Sequence, residues 1–297
     1  MDSAHTMTAT REEWTIGRLL SWTDQFLAQK RSRSPRLDAE LLLAHALKCS
    51  RVELYTRYNE VAEDESRRCF RELVRKRSEG CPVAYLVGRK EFFSLSFEVN
   101  PAVLIPRPAT ETLVMECLKL ARDLPAPRIL DVGTGSGNIA IAIARQKRDA
   151  MVVATDISPG ALEVARRNAE ANKVADRIRF VEGDLFAPLG TDERFHFVVS
   201  NPPYVAEEDW QRLEVNVRDY EPRQALEAGT EGLDVIKRLI CAAPASLVPG
   251  GYLMIEKASD QDEKVRQQLM AIQGFEVGAT FVDGDGLPRV AWARWRG

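Results

Sequence analysis

The sequence predicts an α/β fold: a mostly parallel sheet with helices on both faces, preceded by a small helical module. Three observations predict it. From about residue 110 to the end, apolar strand-like runs alternate with helical patterns, the signature of strand–helix units in a parallel sheet. One unit, Ile129-Leu130-Asp131-Val132-Gly133-Thr134-Gly135-Ser136-Gly137-Asn138 followed by Ile139–Ala144, is strand, glycine turn and helix in direct succession. Residues 11–80 instead carry apolar residues at helical spacing. A chain of 297 residues with 45% hydrophobic residues can bury the cores of two domains.

In chain order, residues 1–10 read as a flexible tail. Residues 11–80 read as a helical domain. Trp14, Leu19, Leu20, Trp22, Phe26 and Leu27 form one apolar face. Ser34-Pro35 starts a second helix carrying Leu37, Leu41, Leu43, Ala44 and Leu47. A third spans about Glu63–Ser78 with Phe70, Leu73 and Val74 inward. Residues 81–108, with Gly88 and alternating Leu95, Phe97 and Val99, read as a β-hairpin linker. Residues 109–297 form the α/β domain. Within it Met151–Asp156 is a second strand, Ser158-Pro159 caps a helix through about Asn172, and Ile178–Val181 is a third strand. Phe195–Ser200 is a fourth, and Phe275–Phe281 and Arg289–Trp295 fit a closing antiparallel pair.

The chemistry-bearing residues sit at strand ends. Glycines at 133, 135 and 137 let the backbone approach a ligand, and the following helix N-terminus favours a negative group such as a carboxylate. A dinucleotide fingerprint needs its third glycine one position later, where Asn138 stands. Asp131 before the loop, with Thr134 and Ser136 inside it, suits an amino-acid-like ligand carrying an ammonium group better than a pyrophosphate. Asp156, with Ile157 beside it, stands where nucleotide-binding α/β folds grip a pair of ribose hydroxyls. Asp184, Leu185 and Phe186 can hold an adenine, the acid accepting from the exocyclic amine and an apolar side chain covering the ring.

The most informative segment is Asn201-Pro202-Pro203-Tyr204. Its prolines fix φ and remove N–H donors. What remains is two acceptors, the Asn201 side-chain oxygen and a backbone carbonyl beside proline, with an aromatic face. That arrangement suits a planar NH2 group.

Together these residues resemble the class I S-adenosylmethionine-dependent methyltransferases. A narrower resemblance rests on Asn201–Tyr204 together with Pro82-Val83-Ala84-Tyr85-Leu86-Val87-Gly88, Glu91-Phe92-Phe93, Leu104-Ile105-Pro106-Arg107-Pro108-Ala109-Thr110-Glu111, Glu221-Pro222-Arg223-Gln224-Ala225-Leu226 and Gly232-Leu233-Asp234. These look like the release-factor glutamine methyltransferases, over roughly residues 80 to 297. The resemblance implies a Rossmann-like seven-stranded sheet with the last strand antiparallel, and S-adenosyl-L-methionine as cofactor. It implies methylation of the glutamine side-chain nitrogen in the Gly-Gly-Gln motif of class I peptide chain release factors. It also implies that the N-terminal helices help to hold that partner. The cofactor would be held by Asp131, the loop from Gly133 to Gly137, Asp156, Ile157, Asp184, Leu185, Phe186 and Asn201. Asn201, Pro202, Pro203 and Tyr204 would bind the substrate amide, and Asn201, Pro202 and Tyr204 would act on it. Two positions depart from the family pattern. Ala109 stands where aspartate is usual, and Lys257-Ala258 follow Tyr252–Glu256 where glycine or histidine is usual. Three alternatives share these motifs: a glutamine methyltransferase of a large-subunit ribosomal protein, a nucleic-acid adenine N6-methyltransferase, and a cofactor-binding scaffold without catalysis.

Composition weighs on them. A net charge of −3 gives no global attraction to nucleic acid, and no segment interleaves basic and aromatic residues. Residues 11–80 hold 15 Lys and Arg against 12 Asp and Glu, with Arg67, Arg71 and Arg75 spaced along one helix face as either a solvated stripe or a docking stripe for an acidic partner. The five cysteines show no paired spacing, which favours free thiols in a reducing cytosol. No signal peptide or membrane span is read, so a cytoplasmic protein is expected; a monomer is expected as well. With only three histidines no histidine-rich metal site is available, and His196 reads as a satisfied core residue.

Overall fold

The computed structural model describes residues 13–297, so the tail at 1–10 lies outside the described residues. The chain divides into two compact units, with the boundary between Val87 and Gly88.

The first unit is helical: α1 (Ile16–Gln29), α2 (Pro35–Ala46), α3 (Arg51–Thr56), α4 (Asp64–Ser78) and α5 (Val83–Val87). Thr15 caps α1 by accepting from the Arg18 N–H, and Pro35 occupies the first turn of α2. Leu20, Leu27, Leu42, Leu43, Leu54, Phe70 and Val74 make its core. Each large side chain fully removed from water contributes about 1.5–3 kcal/mol. The expected apolar faces are too wide. Trp22 is 49% and Leu37 40% exposed. Trp22 stacks on Phe26 at the margin of its stripe, ring centroids 5.1 Å apart. Helix α3 was not expected; its sequence signal is the capping box of Ser50 and Glu53. The buried Glu40 carboxylate fastens it, taking hydrogen bonds from Arg51 and from the Tyr55 hydroxyl.

The second unit begins with a hairpin, β1 (Arg89–Phe92) and β2 (Leu95–Glu98). A separate linker over 81–108 is not what forms: α5 packs on the first unit's core, while Phe92 and Phe97 are buried in a core of the second unit. The rest runs α6 (Glu111–Leu120), β3 (Arg128–Val132), α7 (Asn138–Gln146), β4 (Met151–Asp156), α8 (Pro159–Ala171), β5 (Ile178–Glu182), β6 (Phe195–Ser200), α9 (Val215–Arg218), α10 (Asp234–Ala242), β7 (Leu247–Glu256), α11 (Asp262–Met270), β8 (Phe275–Val277), β9 (Phe281–Val282) and β10 (Pro288–Trp295). The sheet order is β5-β4-β3-β6-β7-β10-β8, with β9 also paired to β10. The first five strands are parallel and β10 is antiparallel to its neighbours. The expected single strand at 275–281 is split into β8 and β9. A Cβ at Gly278 would overlap the Trp292 ring, so backbone and indole meet face to face there. His196 accepts from the Arg128 N–H, and all five cysteines are free.

Parallel strands carry their C-terminal ends to one edge of the sheet. Strand order reverses between β3 and β6, and the crevice outside that switch point is where open α/β sheets bind ligands.

Candidate active site

The glycine turn between β3 and α7 forms the floor. Gly133, Gly135 and Gly137 have φ of +72°, +55° and +81°, in the left-handed region that favours glycine. Nothing lies within 4 Å of a Cβ at Gly133 or Gly135, which face open space, whereas one at Gly137 would press on Ile141 and Ala165. Asp131 lies beneath the turn, fully buried. Its Oδ2 accepts from the Thr134 hydroxyl at 2.6 Å and the Ala140 N–H at 3.2 Å, and its Oδ1 has no partner. Burial pushes this carboxyl up to about 7. Asn168, on α8, donates to the Ser136 carbonyl and binds both backbone groups of Glu98, tying the turn to the hairpin.

Above the turn is a cavity of about 340 Å³. Gly133, Thr134, Gly135, Ser136, Asp156, Ile157, Asp184, Leu185, Asn201 and Pro203 line it, as do Arg107 and Thr110. Asp156 ends β4. Its Oδ2 accepts from the Gly135 N–H at 2.8 Å and its Oδ1 from the Ser158 N–H at 2.9 Å. Asp156 also lines the cavity, and a carboxylate has more acceptor sites than these two bonds use, which suits a vicinal diol. Asp184 also lines the cavity, with Oδ2 paired to Arg238 at 2.6 Å.

A second cavity of about 160 Å³ is lined by Asn201, Tyr204, Leu104, Arg107, Leu213 and Val217 among others. Asn201 and Arg107 line both cavities, so Asn201 stands at their junction. The Ser200 hydroxyl, donating to the Val132 carbonyl at 2.7 Å, fixes the strand end before it. The N–H groups of Tyr204 and Val205 both donate to the Leu226 carbonyl. Gln261 donates to the Tyr204 and Gly232 carbonyls. Gly232, at φ +68°, is required because a Cβ there would collide with the Tyr204 carbonyl. The Asn201 amide donates to the Thr110 hydroxyl at 3.2 Å, which leaves its carbonyl oxygen for the junction. Burial pushes the Tyr204 phenol up to about 12, so it stays neutral.

Several expected site residues take other places. Asp131 does not line the cavity; its carboxylate organises the glycine turn from below. Gly137 packs against α8. Leu185 and Phe186 both pack against a hydrophobic core, and of the two only Leu185 also lines the cavity. Pro202 is buried and lines neither cavity. Residues with no expected role also matter. Glu221, its side chain 1% exposed, pairs with Arg107 and accepts from the Ile105 N–H at 3.1 Å, fastening the Leu104–Arg107 segment to the loop before α10. At the two departures, Ala109 lies in a 3-10 turn at Pro108–Thr110, and Lys257 is buried, paired with Asp262 at 3.0 Å. Burial draws the Lys257 ammonium below its usual range.

A parallel sheet reversing at β3/β6, a glycine-turn cradle and an acid closing β4 define a methyltransferase of the Rossmann-like class. Residues 18–88 match the PrmC N-terminal domain and residues 108–217 the Methyltransferase small domain. The release factor glutamine methyltransferase of Rhodopirellula baltica is 48% identical over 84% of this chain and 86% of its own length. That of Geobacter sulfurreducens is 43% identical over 97% and 99%. The Thermus thermophilus 16S rRNA N2 G1207 methyltransferase, solved with AdoMet and guanosine, shares the fold at a TM-score of 0.53, with 19% identity over 70% of this chain and 50% of that one. The chain belongs to the release factor glutamine methyltransferase family.

Proposed function

We propose that this enzyme transfers a methyl group from S-adenosyl-L-methionine to the side-chain amide nitrogen of the glutamine in the Gly-Gly-Gln motif of class I peptide chain release factors, in the cytoplasm, modulating translation termination. The observation that carries the reading is Asn201 at the junction of a large and a small cavity, its carbonyl oxygen left free by the bond to Thr110. The large cavity suits the cofactor: Asp156 for the ribose hydroxyls, the open backbone of Gly133 and Gly135 with the α7 N-terminus for the amino-acid end, and Asp184 and Leu185 for the adenine. When bound, the cofactor supplies an electrophilic methyl group on a sulfonium.

A carboxamide nitrogen is a poor nucleophile because its lone pair is delocalised, so the residues act by positioning and electrostatics. Asn201 Oδ1 accepts one of the amide's two hydrogens; the Pro202 ring is buried outside both cavities, and only its backbone carbonyl is assigned the other. Positive charge grows on nitrogen during attack, so these acceptors hold the transition state more strongly than the ground state. Tyr204 covers the amide plane. The proton leaves to water after the C–N bond has formed.

The test is incubation with labelled S-adenosylmethionine and, separately, a release factor, a ribosomal protein and DNA, with the label located by mass spectrometry. Label on the Gly-Gly-Gln glutamine supports the reading; label only on ribosomal protein or DNA overturns it. Among the described residues no helix is long and apolar enough to cross a membrane.

The helical unit is the proposed docking element. Its arginine stripe is largely compensated: Arg67 pairs with Asp64, and Arg75 with Glu72 and Glu79. Exposed pairs contribute little individually, so reversing Arg67, Arg71 and Arg75 to Glu is expected to raise the release-factor KM by only about 3- to 10-fold at low salt. The effect shrinks at high salt and cofactor binding does not change. An unaltered KM at low salt assigns the stripe to solvent.

A further inference from the structure

Arg107 lines both cavities, as Asn201 does, yet the proposed methyl transfer gives it no task. A guanidinium keeps its charge at any working pH. At the junction such a charge opposes the reaction on three counts. It repels a sulfonium, it repels an acceptor nitrogen that is becoming positive, and it favours a carboxylate over a carboxamide. The sequence nonetheless holds it in place. Pro106 and Pro108 flank Arg107, whose backbone is extended at φ −101° and ψ 141°, as a residue before proline requires. Its carbonyl accepts from the Thr110 N–H at 3.1 Å, so the same turn carries the hydroxyl that takes the Asn201 amide. The compensating charge is Glu221. Its Oε1 accepts from Arg107 Nη2 and its Oε2 from the Ile105 N–H at 3.1 Å. The glutamate side chain is 1% exposed and that of the arginine 32%. The Glu221 N–H donates to the Val217 carbonyl at 3.0 Å and Pro222 follows, so the carboxylate stands on a closed turn. A buried ion pair adds little net stability over apolar residues of similar size, so its use is sought in the site it borders.

We propose that Arg107 and Glu221 form a charge-compensated pair that sets the charge preference of the junction; this rests on the reaction proposed above. The carboxylate cancels the guanidinium, so a sulfonium and a neutral carboxamide are accepted there and a carboxylate is not. The pair has no net charge, and the bond to Glu221 uses one of the five guanidinium N–H donors, so Arg107 still serves neutral carbonyl oxygens. A substrate carboxylate would give up its water for a site without net positive charge, opposed by the Asn201 carbonyl oxygen. Glu221 acts through Arg107 and is a positioning residue.

Glu221→Gln keeps the shape and an acceptor for the Ile105 N–H but removes the negative charge. Calorimetric titration compares S-adenosylmethionine with S-adenosylhomocysteine, which lacks the methyl group and its positive charge. The variant is expected to bind the sulfonium about 5- to 10-fold more weakly and the neutral thioether within about twofold of the wild type. Retained thioether binding also reports a folded enzyme with its loop in place. Arg107→Met combined with Glu221→Gln removes both charges and should return the ratio of the two affinities to that of the wild type. Equal weakening of both ligands makes Glu221 a fastening for the loop alone and overturns the proposal. An unchanged ratio, or a double variant that does not restore it, overturns it as well. A release factor with glutamate in place of the Gly-Gly-Gln glutamine is the second probe. As a competitor it should bind the wild type at least about 10-fold more weakly than the glutamine form, and Glu221→Gln should reduce that preference about 5- to 10-fold. A preference the variant leaves unaltered overturns the pair's role. A wild type that binds neither form of the release factor marks failure of the proposed function instead, and the cofactor comparison still decides for or against the pair.

Discussion

Asn201→Ala is expected to lower kcat by about 10²- to 10³-fold, the scale of losing one preorganised donor or acceptor aimed at developing charge. The substitution removes the only side-chain carbonyl that the Asn-Pro-Pro-Tyr turn presents to the junction. It leaves intact the Ser200–Val132 bond that fixes the strand end and the Leu226 carbonyl that gathers the turn's N–H groups. Because the acceptor's contact strengthens as nitrogen becomes cationic, the loss appears in kcat more than in the release-factor KM. Cofactor affinity changes less still, since Asp156 and the glycine turn remain. Asn201→Asp is also expected to be impaired. It keeps an acceptor but has no NH2 group for Thr110, and its charge must be desolvated at the junction. Single-turnover methylation of a release factor, with folding checked by circular dichroism, measures both. Near-normal turnover in a folded Asn201→Ala enzyme would remove electrostatic positioning from the mechanism.

What could be read from the sequence was chemistry that depends on local backbone. A glycine at positive φ and a proline without an N–H declare their geometry by residue type, so the 133–137 turn and the 201–204 turn were legible before any fold existed. Asp156 was legible through its place at a strand end. Thr110 was not. It lies within the Leu104–Glu111 segment read as a cofactor border, and its bond to Asn201 joins positions 91 residues apart. Gln261 was hidden for the same reason, because only the fold brings it to the Tyr204 carbonyl. Phe186 does not line the cavity because the segment after β5 packs it against a hydrophobic core. Asp131 was read as facing a ligand because it precedes the glycine turn. Alternation along β3 instead directs it under the turn, where the Thr134 hydroxyl and Ala140 N–H claim it. In the helical unit the 3.6-residue period was correct but the stripe was drawn too wide, which left Trp22 and Leu37 exposed.

Asp156→Ala is expected to weaken S-adenosylmethionine binding by about 10- to 100-fold, because the hydrogen bonds that a carboxylate accepts from two hydroxyls are worth about 1.5–3 kcal/mol and each 1.4 kcal/mol is tenfold in Kd. The residue has two tasks. It offers lone pairs to the cavity, and it holds the Gly135 and Ser158 N–H groups, linking the glycine turn to the start of α8. Alanine deletes both, so the cradle loosens as the ligand loses its acceptors. Asp156→Asn separates them. One amide oxygen can still receive one backbone N–H, but the NH2 group opposes the other donor, so affinity should fall between wild type and alanine. Burial already holds the Asp156 carboxyl above its ordinary value. Protonation therefore sets in at a higher pH than for an exposed aspartate, and cofactor affinity should decline as pH falls through that raised value, because the protonated acid loses charge and an acceptor site. The alanine enzyme should lack this decline. Calorimetric titration across pH measures all three proteins, and saturating cofactor should restore most of kcat, since Asn201 and Thr110 are untouched. An unchanged Kd in folded Asp156→Ala would place the ribose elsewhere in the cavity.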